Sequence, residues 1–304
     1  MKKWKRIVII TIVVLALVAS GMILNISADK AHEMVTNPLE ERDPITRSPA
    51  DYGIAFEEIT LLTEDGLSLA AWYIPSQNGA AVIAVHGYKS NRESLLEETD
   101  MLHRHGYGVL LFDMRSHGES EGEILRFGVD ELQDFEAAYQ YLLTRVDVDP
   151  ARIGLIGSSN GGAMSILYTA QNPEIKALVA HSAYVSLQDE IATGVEHFGG
   201  VPAFPFAPLI QFFAEREVDI RAKDIAPIAV IDQISPRPIL ILQGGADVAI
   251  PTDSGQRLYD EAEMPKELWF EPSVGHTDFD DDLPGDFEAR IIAFFDKFLL
   301  GEAE

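Results

Sequence analysis

The segment Gly157-Ser158-Ser159-Asn160-Gly161 puts a hydroxyl among small residues, between an apolar run at 152–157 that reads as a strand and a run at 160–171 with the length and composition of a helix. A nucleophile on a tight strand-to-helix turn needs such neighbours, because its backbone is strained and its Oγ must stand clear. The start of the helix also offers N–H groups to a developing oxyanion. Gly162 eases close packing further, and the segment lacks the G-K-[ST] ending of a phosphate-binding loop. The bland alternative is a glycine-rich turn with no chemistry. The 304 residues include no Cys, so a thiol nucleophile, a thiol switch, a Cys-ligated zinc and an iron–sulfur site are excluded. The nucleophile question therefore falls on Ser159.

A Ser hydroxyl needs a base, and the base needs an orienting acid. For the chain order Ser, acid, His, the choice is short. His32, His86, His103, His105 and His117 precede Ser159, and His181 and His197 lie before or inside a long insertion. His276 alone follows the last strand-like run, in Ser273-Val274-Gly275-His276-Thr277. The acid should lie just past the preceding strand, where 238–243 runs into Gly244-Gly245-Ala246-Asp247; this selects Asp247. Asp253 sits where a helix should start and reads better as its cap. A second oxyanion donor should come from the loop after an earlier strand, so the backbone N–H groups of Tyr88, in His86-Gly87-Tyr88, and of Asn160 are expected to form the oxyanion hole. His86 itself reads as a structural hydrogen-bonder and Arg115 as a partner in an intramolecular ion pair. The run Asp278, Asp280, Asp281, Asp282 reads first as a solvated acidic loop, with a possible role in favouring the His276 imidazolium. It has no EF-hand spacing, and the chemistry calls for neither a metal nor a cofactor; none is expected.

The elements that must hold these residues are legible as patterns. Runs at 56–63 and 67–75 flank Glu64-Asp65-Gly66, a hairpin signal. Apolar runs follow at 80–85, 108–113, 152–157, 177–180, 238–243 and 267–271, all but the last apolar enough for strands buried on both faces. Between them, Leu132, Phe135, Tyr139 and Leu142 recur at helical spacing, 160–171 and 252–263 have helical composition, and Phe294, Phe295 and Phe298 help mark 287–300 as a terminal helix docked on a core. A hairpin followed by six alternating strands predicts one α/β domain with a mostly parallel eight-stranded sheet flanked by helices. Residues 184–235 are too long for a connector. With Phe198, Phe204, Phe206, Phe212, Phe213 and several Pro, they predict a helical insertion over the sheet. Its aromatics either line an apolar site or form the insertion's own core.

Lys2, Lys3, Lys5 and Arg6 precede an uncharged stretch at 7–24. As a helix this spans roughly 27 Å, close to the hydrocarbon thickness of a bilayer. It is longer than a secretory signal's apolar region, and Ile26-Ser27-Ala28 is a poor cleavage site. The expected division is a basic segment and transmembrane signal anchor at 1–28, a Pro-containing tether at 29–53, and the α/β domain at 54–304. The positive-inside bias directs the amino terminus to the cytoplasm and the domain outward, making a single-pass protein of the cell membrane with an extracytoplasmic domain. From Asp29 onward 19 basic residues face 49 acidic ones, a net of −30 against −26 for the whole chain. Such a surface argues against nucleic-acid binding, which needs a basic footprint.

Taken together, His86-Gly87, the Asp113-x-Arg115-x-x-Gly118-x-Ser120 turn, Gly157-x-Ser159-x-Gly161-Gly162, Gly245-x-Asp247 and Gly275-His276 resemble the α/β-hydrolase superfamily. Within it the chain is similar to membrane-anchored bacterial serine hydrolases described as BAAT/prolyl-oligopeptidase-like or serine-aminopeptidase-like. The resemblance runs from about residue 54 to 300; it implies the α/β-hydrolase fold, with 184–235 as a cap over the site. Asn160 is a departure, since these families often have Met there. The activity it implies is acyl transfer to water by Ser159, His276 and Asp247, on a small-molecule or lipid-like acyl substrate such as an ester. The alternatives are a serine peptidase acting on short peptides and a non-catalytic binding protein of the same fold.

Overall fold

Runs of alternating in-and-out apolar residues build the sheet at the centre of the computed structural model, which describes residues 2–301. Its strands are β1 Glu57–Leu62, β2 Ser68–Ile74, β3 Ala81–Val85, β4 Gly108–Phe112, β5 Ile153–Ser158, β6 Ala177–His181, β7 Ile239–Gly244 and β8 Lys266–Glu271, in the spatial order β1-β2-β4-β3-β5-β6-β7-β8. β2 is antiparallel to both of its neighbours; every other pair is parallel. The helices are α1 Lys2–Val35, α2 Leu96–Arg104, α3 Leu132–Leu143, α4 Asn160–Gln171, α5 Leu187–His197, α6 Ala203–Glu217, α7 Ser254–Glu261, α8 Phe279–Asp282 and α9 Pro284–Phe295, the last continuing into a π-helical turn at Asp296–Leu300.

The strand period of two divides the core. Ile83 and Val85 pack with Phe135 of α3 and Met164 of α4 on one face, while Val82 and Ala84 pack with Leu102 of α2 and Phe295 of α9 on the other. All six strands expected after the hairpin are present. β8 gave the weakest sequence signal because it is an edge strand in which only Trp269 is buried. Helix α2 escaped the pattern because its buried Leu96, Met101 and Leu102 are separated by Glu97, Glu98 and Asp100. The insertion after β6 is helical as expected, made of α5, α6 and three short 3-10 turns ending at Ile234. Asp253 stands at the start of α7, but its side chain makes no capping hydrogen bond, contrary to expectation.

The main correction concerns residues 29–53, expected as a tether. Helix α1 does not stop at 28: it continues to Val35 and docks on the domain, with Ser27, Ala31 and Val35 buried at a spacing of four. Two of these three are small, which lets α6 pack closely along this stretch. Beyond the helix, Thr36 pairs with Ile124, and the Asn37 side chain donates to the Ser116 carbonyl. Arg42 then donates to the carbonyls of Asn37, His117, Gly118, Ser120 and Gly122. The segment is a strap laid over the turn after β4. Polar residues on the exposed side of α1, among them Asp29, His32 and Glu33, hid its docked face from a reading by composition. Upstream, the apolar part of α1 has a mean hydropathy of 3.0 and none of it is buried; it is long and apolar enough to cross a membrane.

Replacing Arg42 by Ala leaves those carbonyls without a charged donor. Arg42→Ala should lower stability by about 2–3 kcal/mol, read as an earlier thermal transition in tryptophan fluorescence. Arg42→Lys should restore less than half of the loss, because an ammonium lacks the planar fork of donors.

Candidate active site

Ser159 sits on the turn between β5 and α4 with φ 55° and ψ −122°, a left-handed conformation unusual for a residue with a β-carbon. The turn is held from both sides: the Ser159 N–H donates to the His181 carbonyl at 2.8 Å, and the Ala163 N–H donates to the Ser159 carbonyl at 3.0 Å. The flanking glycines are required by space. A β-carbon on Gly161 would lie 2.3 Å from the His86 carbonyl oxygen, and one on Gly157 would lie 2.5 Å from the Gly161 oxygen.

From this turn a chain of hydrogen bonds runs outward. His276 Nε2 is 2.9 Å from Ser159 Oγ, and His276 Nδ1 is 2.8 Å from Asp247 Oδ2. With Nδ1–H donating to the carboxylate, Nε2 is free to accept the Ser159 hydroxyl proton. Asp247 Oδ1 accepts the N–H groups of Ala249 at 2.8 Å and Ile250 at 3.0 Å. Burial works to raise the Asp247 carboxyl, but the bond and charge of His276 and these two N–H groups outweigh it and hold the group below the usual carboxylate range. The loop carrying His276 is tied to the sheet through Ser182: the Ser182 N–H donates to the Leu242 carbonyl, and its Oγ accepts the Thr277 N–H at 3.3 Å.

Tyr88 and Asn160 both line the cavity that contains Ser159, and among the described residues neither backbone N–H has an acceptor. Gly87 abuts Ser159, since a β-carbon there would sit 3.9 Å from Ser159 Oγ. The Asn160 side chain accepts a 2.9 Å hydrogen bond from the hydroxyl of Tyr184, a largely buried residue that lines the same cavity. That contact is why this position accommodates an amide. His86 is the structural hydrogen-bonder expected of it, with Nδ1 2.8 Å from the Gly87 carbonyl and Nε2 3.0 Å from the Met114 N–H. Burial lowers its basicity despite the charge of nearby Asp113, consistent with a neutral ring. Arg115 pairs with Asp134 and Asp65, also as expected. The acidic run is not a loop: Asp280, Asp281 and Asp282 lie in α8, whose buried Phe279 packs against His181 and Trp269.

Several residues of the site were not foreseen. The cavity, about 290 Å³, is roofed by α5 and walled by Tyr88, Phe127, Ile191 and Phe198, with Lys30, Glu33 and Met34 of α1 completing it. Phe198 is thus a lining residue, whereas Phe206 and Phe213 pack against the core, so the insertion's aromatics serve both purposes. Glu190 also lines this cavity. The residue is half-buried, yet its Oε2 is sealed from solvent with no partner among the described residues. Burial, aided by the Asp247 charge, pushes its carboxyl up to about 8. A lone Glu in an amphipathic helix gives no sequence signal of this. Gln243, buried beneath the turn, joins the Gly255 N–H to the Asp247 carboxylate and also went unnoticed.

Residues 76–233 match the sequence model of the family described as serine aminopeptidase, S33. An uncharacterized protein of Mycobacterium tuberculosis is 31% identical over 281 residues, spanning 91% of this chain and 90% of its own length. Among solved structures, an esterase of Pyrococcus furiosus superposes with a TM-score of 0.73 at 26% identity, over 88% of this chain and 98% of the other. An acylaminoacyl peptidase of Pyrococcus horikoshii shares the fold with a TM-score of 0.63 at 18% identity, over 82% of this chain and 43% of that one.

The folded chain keeps a proton on Glu190 up to about pH 8, while the unfolded chain releases it near the ordinary value of 4.5. Stability from this group is therefore present below about pH 4.5 and is lost as the pH rises to about 8. Glu190→Gln should match the parent in thermal midpoint at pH 4.5 and exceed it at pH 8.5 by roughly 2–4 °C, as read by parallel melts across pH.

Proposed function

The chain belongs to the serine aminopeptidase S33 family of α/β-hydrolase-fold proteins, and on that premise we propose that it is a serine hydrolase cleaving the ester of an apolar acyl group through an acyl-enzyme. Ser159 Oγ attacks the acyl carbonyl carbon while His276 Nε2 takes its proton. Asp247 holds the imidazole in the required tautomer and faces the imidazolium that forms. The N–H groups of Tyr88 and Asn160 bind the oxyanion, where one donor is worth roughly 3 kcal/mol of barrier. His276 then gives the proton to the leaving alcohol, and a water deprotonated by the same ring releases the acid and restores Ser159.

The observation that carries this reading is the unbroken chain Ser159 Oγ–His276 Nε2, His276 Nδ1–Asp247 Oδ2, at 2.9 and 2.8 Å. The mainly apolar cavity beside it favours an acyl chain, and the likeness to an esterase at 26% identity points the same way. Cleavage of short peptides is a second reading, favoured by one feature: the Glu190 carboxyl in the same cavity, neutral in the free chain, which the positive charge of a substrate ammonium would favour in its ionised, pairing form. We further propose that α1 anchors the chain in the cell membrane, its basic start in the cytoplasm and its hydrolase domain outside.

A fluorophosphonate probe should label the parent chain and leave Ser159→Ala unlabelled, with kcat for p-nitrophenyl esters falling by about 10⁶. Esters of medium acyl chains should be cleaved at a higher kcat/KM than aminoacyl or prolyl amides; the reverse order would favour the peptidase. Protease added to intact cells should digest the domain, and digestion only after lysis would refute the outward orientation.

A further inference from the structure

The docked part of α1 joins a membrane-spanning run directly to the wall of the Ser159 cavity. Along one unbroken helix, Lys30 and Met34, both lining that cavity, lie roughly 9 and 15 Å beyond Leu24, the last residue of the uncharged run. No flexible linker separates the two, so the cavity is held at a fixed, short distance from the bilayer. Helix α6 packs along the same stretch, and its last residue, Glu217, meets His32 near the carboxyl end of α1 at 2.5 Å. The two helices therefore run in the same direction, and the regular part of α6, which begins after the extended Phe204 (φ −105°, ψ 130°), starts on the side of the apolar run.

That end of the cap has the composition of a membrane surface. Residues 198–214 contain no Asp, Glu, Lys or Arg, in a chain whose part beyond α1's apolar run carries a net −30. The uncharged stretch at 153–173 is largely core, but this one is not: Phe204 is 84% exposed, and Phe198 and Phe212 are about half exposed. Apolar area costs about 25 cal/mol per Å² when left in water. The helix on which α6 packs, α1, carries an apolar run that is itself unburied.

We propose that the cap edge around Phe204 inserts into the outer leaflet beside α1, so that the Ser159 cavity opens at the bilayer surface and its substrate is a membrane-resident lipid ester whose acyl chain enters from the bilayer. The inference rests on the anchor and hydrolase readings above. Insertion of an apolar edge by about 5–10 Å is the depth typical of interfacial helices. The dense negative charge elsewhere keeps the rest of the domain off the membrane, leaving this edge as the contact. Phe198, six residues before Phe204 in the same uncharged stretch, lines the cavity and is half exposed, and in this arrangement it connects the inserted surface to the Ser159 chamber.

The absence of native Cys makes single-site labelling clean. The full chain is reconstituted in phosphatidylcholine vesicles with an NBD fluorophore on F204C, on L15C, or on V146C, a fully exposed position on the loop entering β5, at the opposite edge of the sheet from Ser159. Nitroxide-bearing lipids should quench F204C and L15C strongly and V146C little. Quenching of L15C with F204C resembling V146C overturns the inserted cap and spares the anchor; no quenching of L15C overturns both. In parallel, the parent and Phe204→Asp are assayed on umbelliferyl palmitate dissolved in the vesicles and on soluble p-nitrophenyl acetate. Phe204→Asp should lose at least tenfold on the vesicle ester and stay within twofold on the soluble one. Equal rates for the two proteins on the vesicle ester overturn the proposal. Cleavage of the soluble ester alone by the parent overturns the lipid substrate and spares the hydrolase reading, and cleavage of neither refutes both.

Discussion

The backbone of Ser159 is the constraint on which the rest of the structure depends. A φ of 55° at a residue with a β-carbon is kept only where the surroundings over-determine it, at a cost of roughly 1–3 kcal/mol. Three turns at the carboxyl edge of the sheet share that task. The turn after β5 is clamped to the His181 carbonyl; it leans through Gly161 on the His86 carbonyl; and His86 in turn accepts the Met114 N–H of the turn after β4. Lys89, Ser182 and Thr277 adopt similar φ values of 51°, 51° and 59°, each on a loop that borders Ser159. Strain concentrated at one edge of an otherwise regular sheet is what sets a hydroxyl clear of the core and within reach of His276.

The strap formed by α1 and residues 36–42 gives that edge a second layer. Arg42 satisfies five carbonyls, four of them on the turn after β4, while Tyr88 donates its hydroxyl to the Met34 carbonyl and so ties the expected oxyanion loop to α1. Helix α1, the cap and the site are one packed unit. The charge of the chain is partitioned accordingly: four bases precede the apolar run, the acidic excess lies beyond it, and α6, whose first twelve residues are uncharged, packs on α1. Helix α1 is continuous from its apolar run to the docked stretch, with no break between them.

Most of the sheet was legible because each buried strand is a short apolar run bounded by turn residues, and the positions of Ser159, Asp247 and His276 followed from chain order and strand ends. What failed to show was what depends on tertiary partners. Composition marked 29–53 as a tether, because a helix docked by Ser27, Ala31 and Val35 exposes charged residues on its other side. Glu190 and Gln243 carry no local pattern; their roles come from what packs around them. Asn160 was recognised as a departure, but its bond to Tyr184 is a contact across the fold that no motif spacing encodes.

The central claim is that Ser159 becomes acylated during turnover. The measurement that meets it most directly is rapid quenching of the full chain with an excess of p-nitrophenyl ester, followed by mass spectrometry of the digested protein. The account predicts an early burst of nitrophenol approaching one equivalent and an added acyl mass confined to the peptide containing Ser159. A linear release of nitrophenol with the acyl mass on another residue, while Ser159→Ala retains the parent's rate, would contradict it.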